Sequence, residues 1–148
     1  MLKIRKITAE DQEKYLQMSE EFYNSSAVLH PIRQEYREKT FMEMMKSDLY
    51  LIGFILEIDE HCAGYALLSR SFSPEAGGAV IWLEEIYLRP AFRGRGMGRE
   101  FFLFLEENYP VSRYRLEVSP ENKHAVQLYL SLGYRELRYT QMIKENEN

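Results

Sequence analysis

The apolar and polar positions of this chain alternate between the period of a strand and the period of a helix. Leu2-Lys3-Ile4-Arg5 alternates like a half-buried strand, and helical spacing follows over about 9–23 and from Pro31 to near Ser47. Leu49 to Ile58 and Cys62 to Ser69 are mostly apolar and flank a tight acidic turn, which predicts a β-hairpin. The first half therefore predicts one strand, two helices and a hairpin.

The second half predicts alternating strands and helices. These elements are a strand over 80–88, a helix from 100 to about 107, a strand around 114–118, a helix over about 122–132 and short closing strands over 134–143. An antiparallel meander followed by a β-α-β unit predicts a mixed sheet. No repeat, low-complexity tract or interdomain linker interrupts residues 1–148, so we expect a single domain.

A glycine-rich loop separates the strand that ends at Arg89-Pro90 from the helix that follows. Glycine stands at 94, 96 and 98, with arginine at 93, 95 and 99. A glycine-rich turn between a strand and a helix points backbone N–H groups at an anion, and arginine suits phosphate oxygens. The glycine spacing is not that of a dinucleotide fingerprint, and the chain contains no Walker A string. The loop predicts a pyrophosphate site; a glycine-rich surface turn or an RNA contact is the alternative.

Two motifs resemble those of the GNAT N-acetyltransferases. In the glycine-rich loop, Arg93, Gly96 and Gly98 match the acetyl-CoA pattern [RQ]-x-x-G-x-[GA]. In the stretch 122–134, a second set resembles the C-terminal signature of the family, N-x-x-A-x-x-x-Y followed by a glycine-aromatic pair. The residues at its matching positions are Asn122, Ala125, Tyr129, Gly133 and Tyr134.

This resemblance implies an α/β (mixed α+β) GNAT fold, with a central, mostly antiparallel, twisted mixed sheet flanked by helices. It implies acetyl-CoA as cosubstrate, with its pyrophosphate on the loop N–H groups and its pantetheine alongside the preceding strand. The residues implied to bind it are Ile86, Tyr87, Leu88, Arg93, Gly94, Arg95, Gly96, Met97, Gly98, Arg99, Asn122 and Ala125.

The strand before the loop carries the candidate base. Strict alternation places the even positions 80–88 on one face and the odd positions 81–87 on the other, and both faces are apolar apart from one glutamate each. A carboxylate in a strand covered on both sides is desolvated, which raises its pKa as a base at neutral pH requires. The resemblance implies that Glu84, or Glu85 as second choice, is the base and that Tyr129 protonates the leaving thiolate. A glutamate paired with a local arginine is the structural alternative.

Composition narrows the class of protein further. A net charge of −4 over 148 residues favours neither nucleic acid nor a membrane surface as partner. One cysteine, Cys62, and three scattered histidines offer no metal-ligand spacing, so we expect no metal. The N-terminus has no secretory pattern and no apolar run reaches the length of a membrane span. These features predict a reduced, cytoplasmic protein.

The resemblance implies transfer of the acetyl group to a primary amine by direct attack in a ternary complex. The acidic and aromatic residues of the first two helices, among them Glu21, Tyr23 and Tyr36, suit a small cationic acceptor. Acetylation of a protein N-terminus or lysine, a non-catalytic acyl-CoA sensor and an RNA-binding protein remain the alternatives. The sequence does not determine the oligomeric state, and it is compatible with a homodimer.

Overall fold

The computed structural model describes residues 1–146. Its strands are β1 (Leu2–Lys6), β2 (Leu51–Ile58), β3 (His61–Ser73), β4 (Gly78–Leu88) and β5 (Arg113–Leu116). Its helices are α1 (Gln12–Tyr23), α2 (Gln34–Lys46), α3 (Met97–Asn108) and α4 (Lys123–Ser131), with short 3-10 turns at Ala9–Asp11 and Pro90–Phe92. Within this part of the chain no helix is both long and apolar enough to cross a membrane.

The strands form one sheet in the order β1-β2-β3-β4-β5. The first four strands pair antiparallel with their neighbours, whereas β5 runs parallel to β4 because α3 crosses over between them. This arrangement confirms the mixed, mostly antiparallel sheet expected from the order of the elements.

Each face of the sheet has its own apolar core. Helices α1 and α2 cover one face with Tyr15, Met18, Phe22, Phe41 and Met44, which pack with strand residues such as Ile55 and Tyr65. Helix α3 covers the other face with Phe101, Phe102 and Leu105, which pack with Phe54, Leu56 and Leu83. The central strands are therefore buried on both sides, as their near-continuous apolar sequences require.

The entry to α1 is held by a buried ion pair. Thr8 donates a hydrogen bond from its amide to the carboxylate of Asp11, at 2.7 Å, and Arg5 donates two more, each at 2.8 Å. Asp11 is only 2% exposed, so its charge depends on these donors. They hold the pKa of the Asp11 carboxyl at about 2, below its ordinary value, chiefly through the bond to Arg5.

A β-bulge in β4 corrects the strict alternation that we expected. Leu67 of β3 pairs with Glu85, and Leu68 pairs with Leu83, so Glu84 is an extra residue without a partner across the ladder. A bulge shifts the alternation of the side chains by one position. The odd residues before it therefore share a face with the even residues after it: Ile81, Leu83, Ile86 and Leu88 all pack in the α3 cluster.

Three other expectations needed revision. α2 begins at Gln34 and not at Pro31, and α3 begins at Met97, earlier than expected, because Gly96 caps it with a left-handed backbone (φ +77°). The closing strands expected over 134–143 do not form: residues 134–146 have no strand assignment. The reason is that these residues have no backbone hydrogen bonds to a neighbouring strand within the described chain.

Candidate active site

A cleft opens where β4 and β5 part. The two strands pair only over Val80–Leu83, so the edge of 84–88 that faces β5 has no strand partner within the described residues. Leu116, Glu117 and Val118 form the opposite wall, and the cavity has a volume of about 680 Å³. A second cavity of about 220 Å³, between Arg70 and Tyr109, is lined by no carboxylate. The larger cavity is the candidate active site.

The glycine-rich loop forms one end of this cleft. Gly94 and Gly96 both have φ of +77°, and a Cβ on either would meet no atom within 4 Å. Glu100 donates the first backbone hydrogen bond of α3, to the carbonyl of Gly96, so the amides before it lack helical acceptors. Within residues 1–146, no backbone acceptor pairs with the amides of 97–99. The sequence expectation of a loop with free amides fits this geometry.

The three arginines of the loop take different positions. Arg93 lines the cleft, but its Nε donates to the carbonyl of Leu88 at 2.8 Å. Arg99 also lines the cleft and donates to the hydroxyl of Ser131 at 2.7 Å, which ties the start of α3 to the end of α4. Arg95 does not line it: its guanidinium carbon lies 5.5 Å from the ring centroid of Phe92. The structure thus brings two of the three arginines to the cleft.

Glu84 reaches the cleft because it is the extra residue of the bulge. It is exposed and lines the cleft, whereas the apolar pattern of the strand predicted a desolvated carboxylate there. Its Oε2 accepts a hydrogen bond from the hydroxyl of Ser69 at 2.5 Å. Its other oxygen makes no hydrogen bond to residues 1–146, which leaves one acceptor free toward the cleft.

Glu85, next to Glu84 in β4, is the carboxylate whose pKa is shifted by burial. Its Oε2 accepts a hydrogen bond from Tyr23 at 2.5 Å, and its Oε1 accepts one from Tyr65 at 2.7 Å. Burial raises the pKa of Glu85, and the two tyrosine hydroxyls offset part of that rise. No cationic side chain of the described chain forms a salt bridge with it. Glu85 thus presents an enclosed carboxyl without a counter-ion at the cleft.

Tyr129 of α4 also lines the cleft. Its ring packs against Phe102 and Tyr134, with centroids 5.5 Å and 6.1 Å away. Burial raises the pKa of the Tyr129 hydroxyl, so it keeps its proton at neutral pH. Asn122 caps α4 by accepting a hydrogen bond from the amide of Ala125 at 3.4 Å, and both residues line the cleft. The second sequence motif therefore builds one wall of the site.

The mouth of the cleft near Glu85 comes from the end of α1 and the loop after it. Phe22, Ser25, Ser26 and Ala27 line it. Of the acidic and aromatic residues that we expected to contact an acceptor, Tyr23 bonds Glu85, and Glu21 accepts a hydrogen bond from Tyr87 at 3.3 Å. Tyr36 lies exposed on α2 instead.

Several residues of the cleft had no signal in the sequence. Those that the motifs did not indicate are Leu116, Glu117, Val118, Gln127 and Ser131. They belong to the end of β5, to the segment after it or to α4, outside the motif positions, and only the position of each element brings them together. Cys62 does not line the cleft, and its Sγ lies 3.7 Å from the sulfur of Met18. No group of three or more potential metal ligands occurs in the part of the chain that is described.

Residues 12–134 match the model of the acetyltransferase (GNAT) family. The chain belongs to this family. A thialysine N-epsilon-acetyltransferase of Sus scrofa is 39% identical over 77 residues, which cover 50% of this chain and 45% of that protein. A thialysine N-epsilon-acetyltransferase of Caenorhabditis elegans is 33% identical over 85 residues, which cover 55% of this chain and 52% of that protein. The chain spans about half the length of the curated relatives it matches.

Solved structures of acetyltransferases share the fold of this GNAT protein along its whole length. A possible acetyltransferase from Clostridium difficile 630 superposes with a TM-score of 0.84 at 15% identity, covering 100% of this chain and 99% of that one. The structure of AAC(6')-Iy in complex with the bisubstrate analogue CoA-S-monomethyl-acetylneamine gives a TM-score of 0.79 at 19% identity, covering 99% of each chain. The GNAT fold predicted from the two motifs is therefore confirmed.

Proposed function

We propose that this GNAT protein transfers the acetyl group of acetyl-CoA to a primary amine of a small cationic acceptor. The observation that carries the proposal is a single cleft that combines free loop amides, an unpaired strand edge, the adjacent carboxylates of Glu84 and Glu85 and the Tyr129 hydroxyl. Two relatives that share about half of the chain are named as acetyltransferases of an amine, which supports the same reaction class.

The loop and the edge of β4 fit the cosubstrate. The amides of 97–99 and the open space over Gly94 and Gly96 suit the pyrophosphate, because backbone N–H groups at a helix start attract anions. The free edge at 84–88 suits the pantetheine amides, which would pair with it as an added strand does. Arg93 and Arg99, both lining the cleft, add positive charge near the phosphates.

Glu84 takes the proton of the acceptor. An alkylamine has a pKa of about 10.4, so it must lose a proton before its nitrogen can attack the thioester carbon. Glu84 has a free carboxylate oxygen at the cleft, whereas both oxygens of Glu85 already accept hydrogen bonds from tyrosines. The proton passes to Glu84 directly or through water, and the amine lone pair forms the new C–N bond.

Tyr129 serves the leaving group. Collapse of the tetrahedral intermediate breaks the C–S bond, and the thiolate of coenzyme A takes a proton. Tyr129 keeps its proton at neutral pH and faces the cleft, so its hydroxyl can donate to the sulfur. A backbone N–H near Leu88, on the edge of β4 that has no pairing with β5, would stabilise the oxyanion. The nitrogen of the tetrahedral intermediate gives up its second proton as the amide forms, and that proton, passed through water, replaces the one that Tyr129 donates to the sulfur. The products are the acetylated amine and coenzyme A, and Glu84 then releases its proton to solvent.

Glu85 selects for positive charge. A carboxylate that is enclosed and lacks a counter-ion attracts a cation that enters the cleft, because the low local dielectric strengthens the attraction. The aromatic rings of Phe22 and Tyr87 beside it add cation–π attraction. These contacts favour an acceptor with an ammonium group over a neutral or acidic one.

Release of free thiol from acetyl-CoA tests the proposal with a panel of acceptors. The panel contains diamines, amino acids with a side-chain amine, an aminoglycoside, peptides with free N-termini and lysine peptides. We expect turnover with small cationic amines and little with peptides. Preference for peptides would overturn the acceptor class alone, whereas binding of coenzyme A without turnover of any amine would make the protein an acyl-CoA sensor.

A further inference from the structure

Arg37 is a buried cation on the inner face of α2. It is 7% exposed and shares that face with Phe41 and Met44. Its Nη1 donates a hydrogen bond to the carbonyl of Ile32 at 3.1 Å, but its Nε is buried without a hydrogen-bond partner. Arg37 forms no salt bridge within residues 1–146. Because an uncompensated buried charge is costly, the position of Arg37 needs an electrostatic explanation.

Three buried hydroxyl groups connect this cation with Glu85, the enclosed carboxylate of the cleft. We name them the hydroxyl file; they belong to Tyr15, Ser19 and Tyr65, which are at most 1% exposed. At one end of the file, Tyr65 donates a hydrogen bond to Glu85 at 2.7 Å. Tyr15 packs edge-on against Tyr65, with ring centroids 5.3 Å apart.

Tyr15 lies close enough to both charges to be affected by each. Burial raises the pKa of Tyr15, the charge of Glu85 raises it further, and the charge of Arg37 lowers it. Ser19 follows one helical turn later on α1, so the two side chains share a face. The Ser19 hydroxyl makes no direct hydrogen bond, but it offsets part of the rise that burial causes in the pKa of Tyr15 and of Tyr65.

The hydroxyl file can transmit the field of the cation to the carboxylate. In a core of low dielectric, hydroxyl dipoles orient in the field of nearby charges. Arg37 attracts hydroxyl oxygens and Glu85 attracts hydroxyl hydrogens, and the hydrogen bond from Tyr65 to Glu85 has the direction that this requires. A cation at one end therefore strengthens hydrogen-bond donation at the other, which favours the charged form of the carboxylate.

We propose that Arg37 is a positioning residue that keeps Glu85 negatively charged by orienting the hydroxyl file. This role rests on the proposed function, in which Glu85 attracts the ammonium group of the acceptor. Besides burial, which raises the pKa of Glu85, the groups that act on it are Tyr23 and Tyr65, which donate hydrogen bonds, and Glu84, whose charge raises that pKa. None of these three groups is cationic, and Arg37 supplies the positive charge from the far end of the file.

Carbon-13 NMR of the glutamate carboxyls tests the proposal in the full chain without any acceptor, with the Glu85 signal identified by its absence in Glu85→Gln. Arg37→Met keeps the bulk of the side chain but removes its charge, so it should raise the pKa of Glu85 by about one unit. Arg37→Lys keeps the charge and should stay close to the wild-type value. The matched control, Lys39→Met, removes the same charge from the exposed side of α2 and should change nothing. Equal pKa values of Glu85 in Arg37→Met and Lys39→Met, or an equal rise in Arg37→Lys, would overturn the proposal.

Variants of the hydroxyl file show whether Arg37 acts through it. In a Tyr65→Phe background, Arg37→Met should add little to the pKa of Glu85, whereas a further rise of about one unit would reject the file as the route. Ser19→Ala removes a hydroxyl that makes no hydrogen bond, so the variant should fold, and the pKa of Glu85 should rise in it. Ser19→Ala carries the test if Arg37→Met does not fold, and an unchanged pKa of Glu85 in it would then overturn the proposal.

Kinetics separate the failure of this inference from the failure of the proposed function. In Arg37→Met, the acid limb of kcat/KM for a diamine should move to higher pH by the same amount as the pKa of Glu85. A shift of that pKa without a shift of the acid limb supports the coupling and shows that Glu85 does not bind the acceptor. An unchanged pKa of Glu85 overturns the coupling whatever the activity.

Discussion

Tyr23 donates a hydrogen bond to Glu85 at 2.5 Å, although 62 positions separate them in the chain. The bond ties the end of α1 to the bulge of β4. It lies on the side of the cleft where we propose that the acceptor binds, and Glu85 forms no salt bridge with a cationic side chain of residues 1–146.

Removal of this hydrogen bond should weaken acceptor binding. Tyr23→Phe loses a donor that lowers the pKa of Glu85, so that pKa rises further and the carboxyl ionises only at higher pH. We expect the KM for a cationic acceptor to rise about tenfold, as for a lost hydrogen bond to a charged group. The acid limb of kcat/KM should move to higher pH. Tyr36→Phe, on the exposed surface of α2, is the control; an equal effect of both variants would refute the role of Tyr23.

The base can be tested by comparing two carboxylates on opposite walls of the cleft. Glu84→Gln should lower kcat about 10²-fold, and its rate should recover as pH rises and more acceptor is already deprotonated. Glu117→Gln, which removes the same charge from the other wall, should change kcat little. Steady-state kinetics over a pH series gives both results. A Glu84→Gln variant with the wild-type kcat and pH profile would eliminate Glu84 as the base.

A comparison of a glycine inside the glycine-rich loop with one outside it tests the role of the loop, because the two have similar backbone angles. Gly96 and Gly77 have φ of +77° and +68°, and a Cβ on either meets no atom within 4 Å. Alanine at either position should therefore cost about 1 kcal/mol of stability through backbone strain. Only Gly96→Ala should also weaken the binding of coenzyme A, by about tenfold, because the added methyl group enters the space in front of the loop amides. Calorimetry that shows equal affinities for the two variants would argue against the pyrophosphate site.

Tyr129, which we propose donates a proton to the leaving thiolate, has a neighbouring tyrosine that serves as a control. Tyr129→Phe should lower kcat about 10²-fold and leave the KM for acetyl-CoA nearly unchanged, because the hydroxyl acts on the departing sulfur. Tyr134→Phe removes a hydroxyl from an adjacent ring that also packs on Phe102 but does not line the cleft. It should keep the wild-type kcat. Matching losses in both variants would indicate a packing effect rather than proton donation.

The Asp11–Arg5 pair predicts how stability depends on pH. The pKa of Asp11 falls from 3.8 to about 2 on folding, so its contribution is complete above pH 3.8 and is lost as pH falls toward 2. That shift corresponds to about 2 kcal/mol, which Asp11→Asn should cost at neutral pH. Asp48→Asn, which breaks an exposed pair with Lys6, should cost at most about 0.5 kcal/mol. Urea unfolding at pH 7 and pH 3 measures the free energy of unfolding of both variants. A loss of stability in Asp11→Asn that is equal at the two pH values would contradict this dependence on the pKa of Asp11.

Local patterns predicted most of the elements. Strands β1 to β5 and helices α1 to α4 follow from apolar periodicity and from glycine and proline boundaries, although α2 and α3 begin at other residues than expected. The arginine at 95 shows the limit of this reasoning: its side chain stacks on Phe92, away from the cleft, because the turn at Pro90–Phe92 places that ring beside it. The closing strands failed for a different reason, since a strand pattern needs a partner that the sequence does not name.

The sequence by itself determined the family, the glycine-rich loop before α3 and the motif of α4, because each depends on residue types at fixed spacing. Tertiary structure alone decided the positions of Glu84 and Glu85. A bulge depends on how β4 pairs with β3, and it places one carboxylate at the open cleft and encloses the other between Tyr23 and Tyr65. Burial and strand pairing depend on residues that are distant in the chain, so the sequence of a single strand does not determine them.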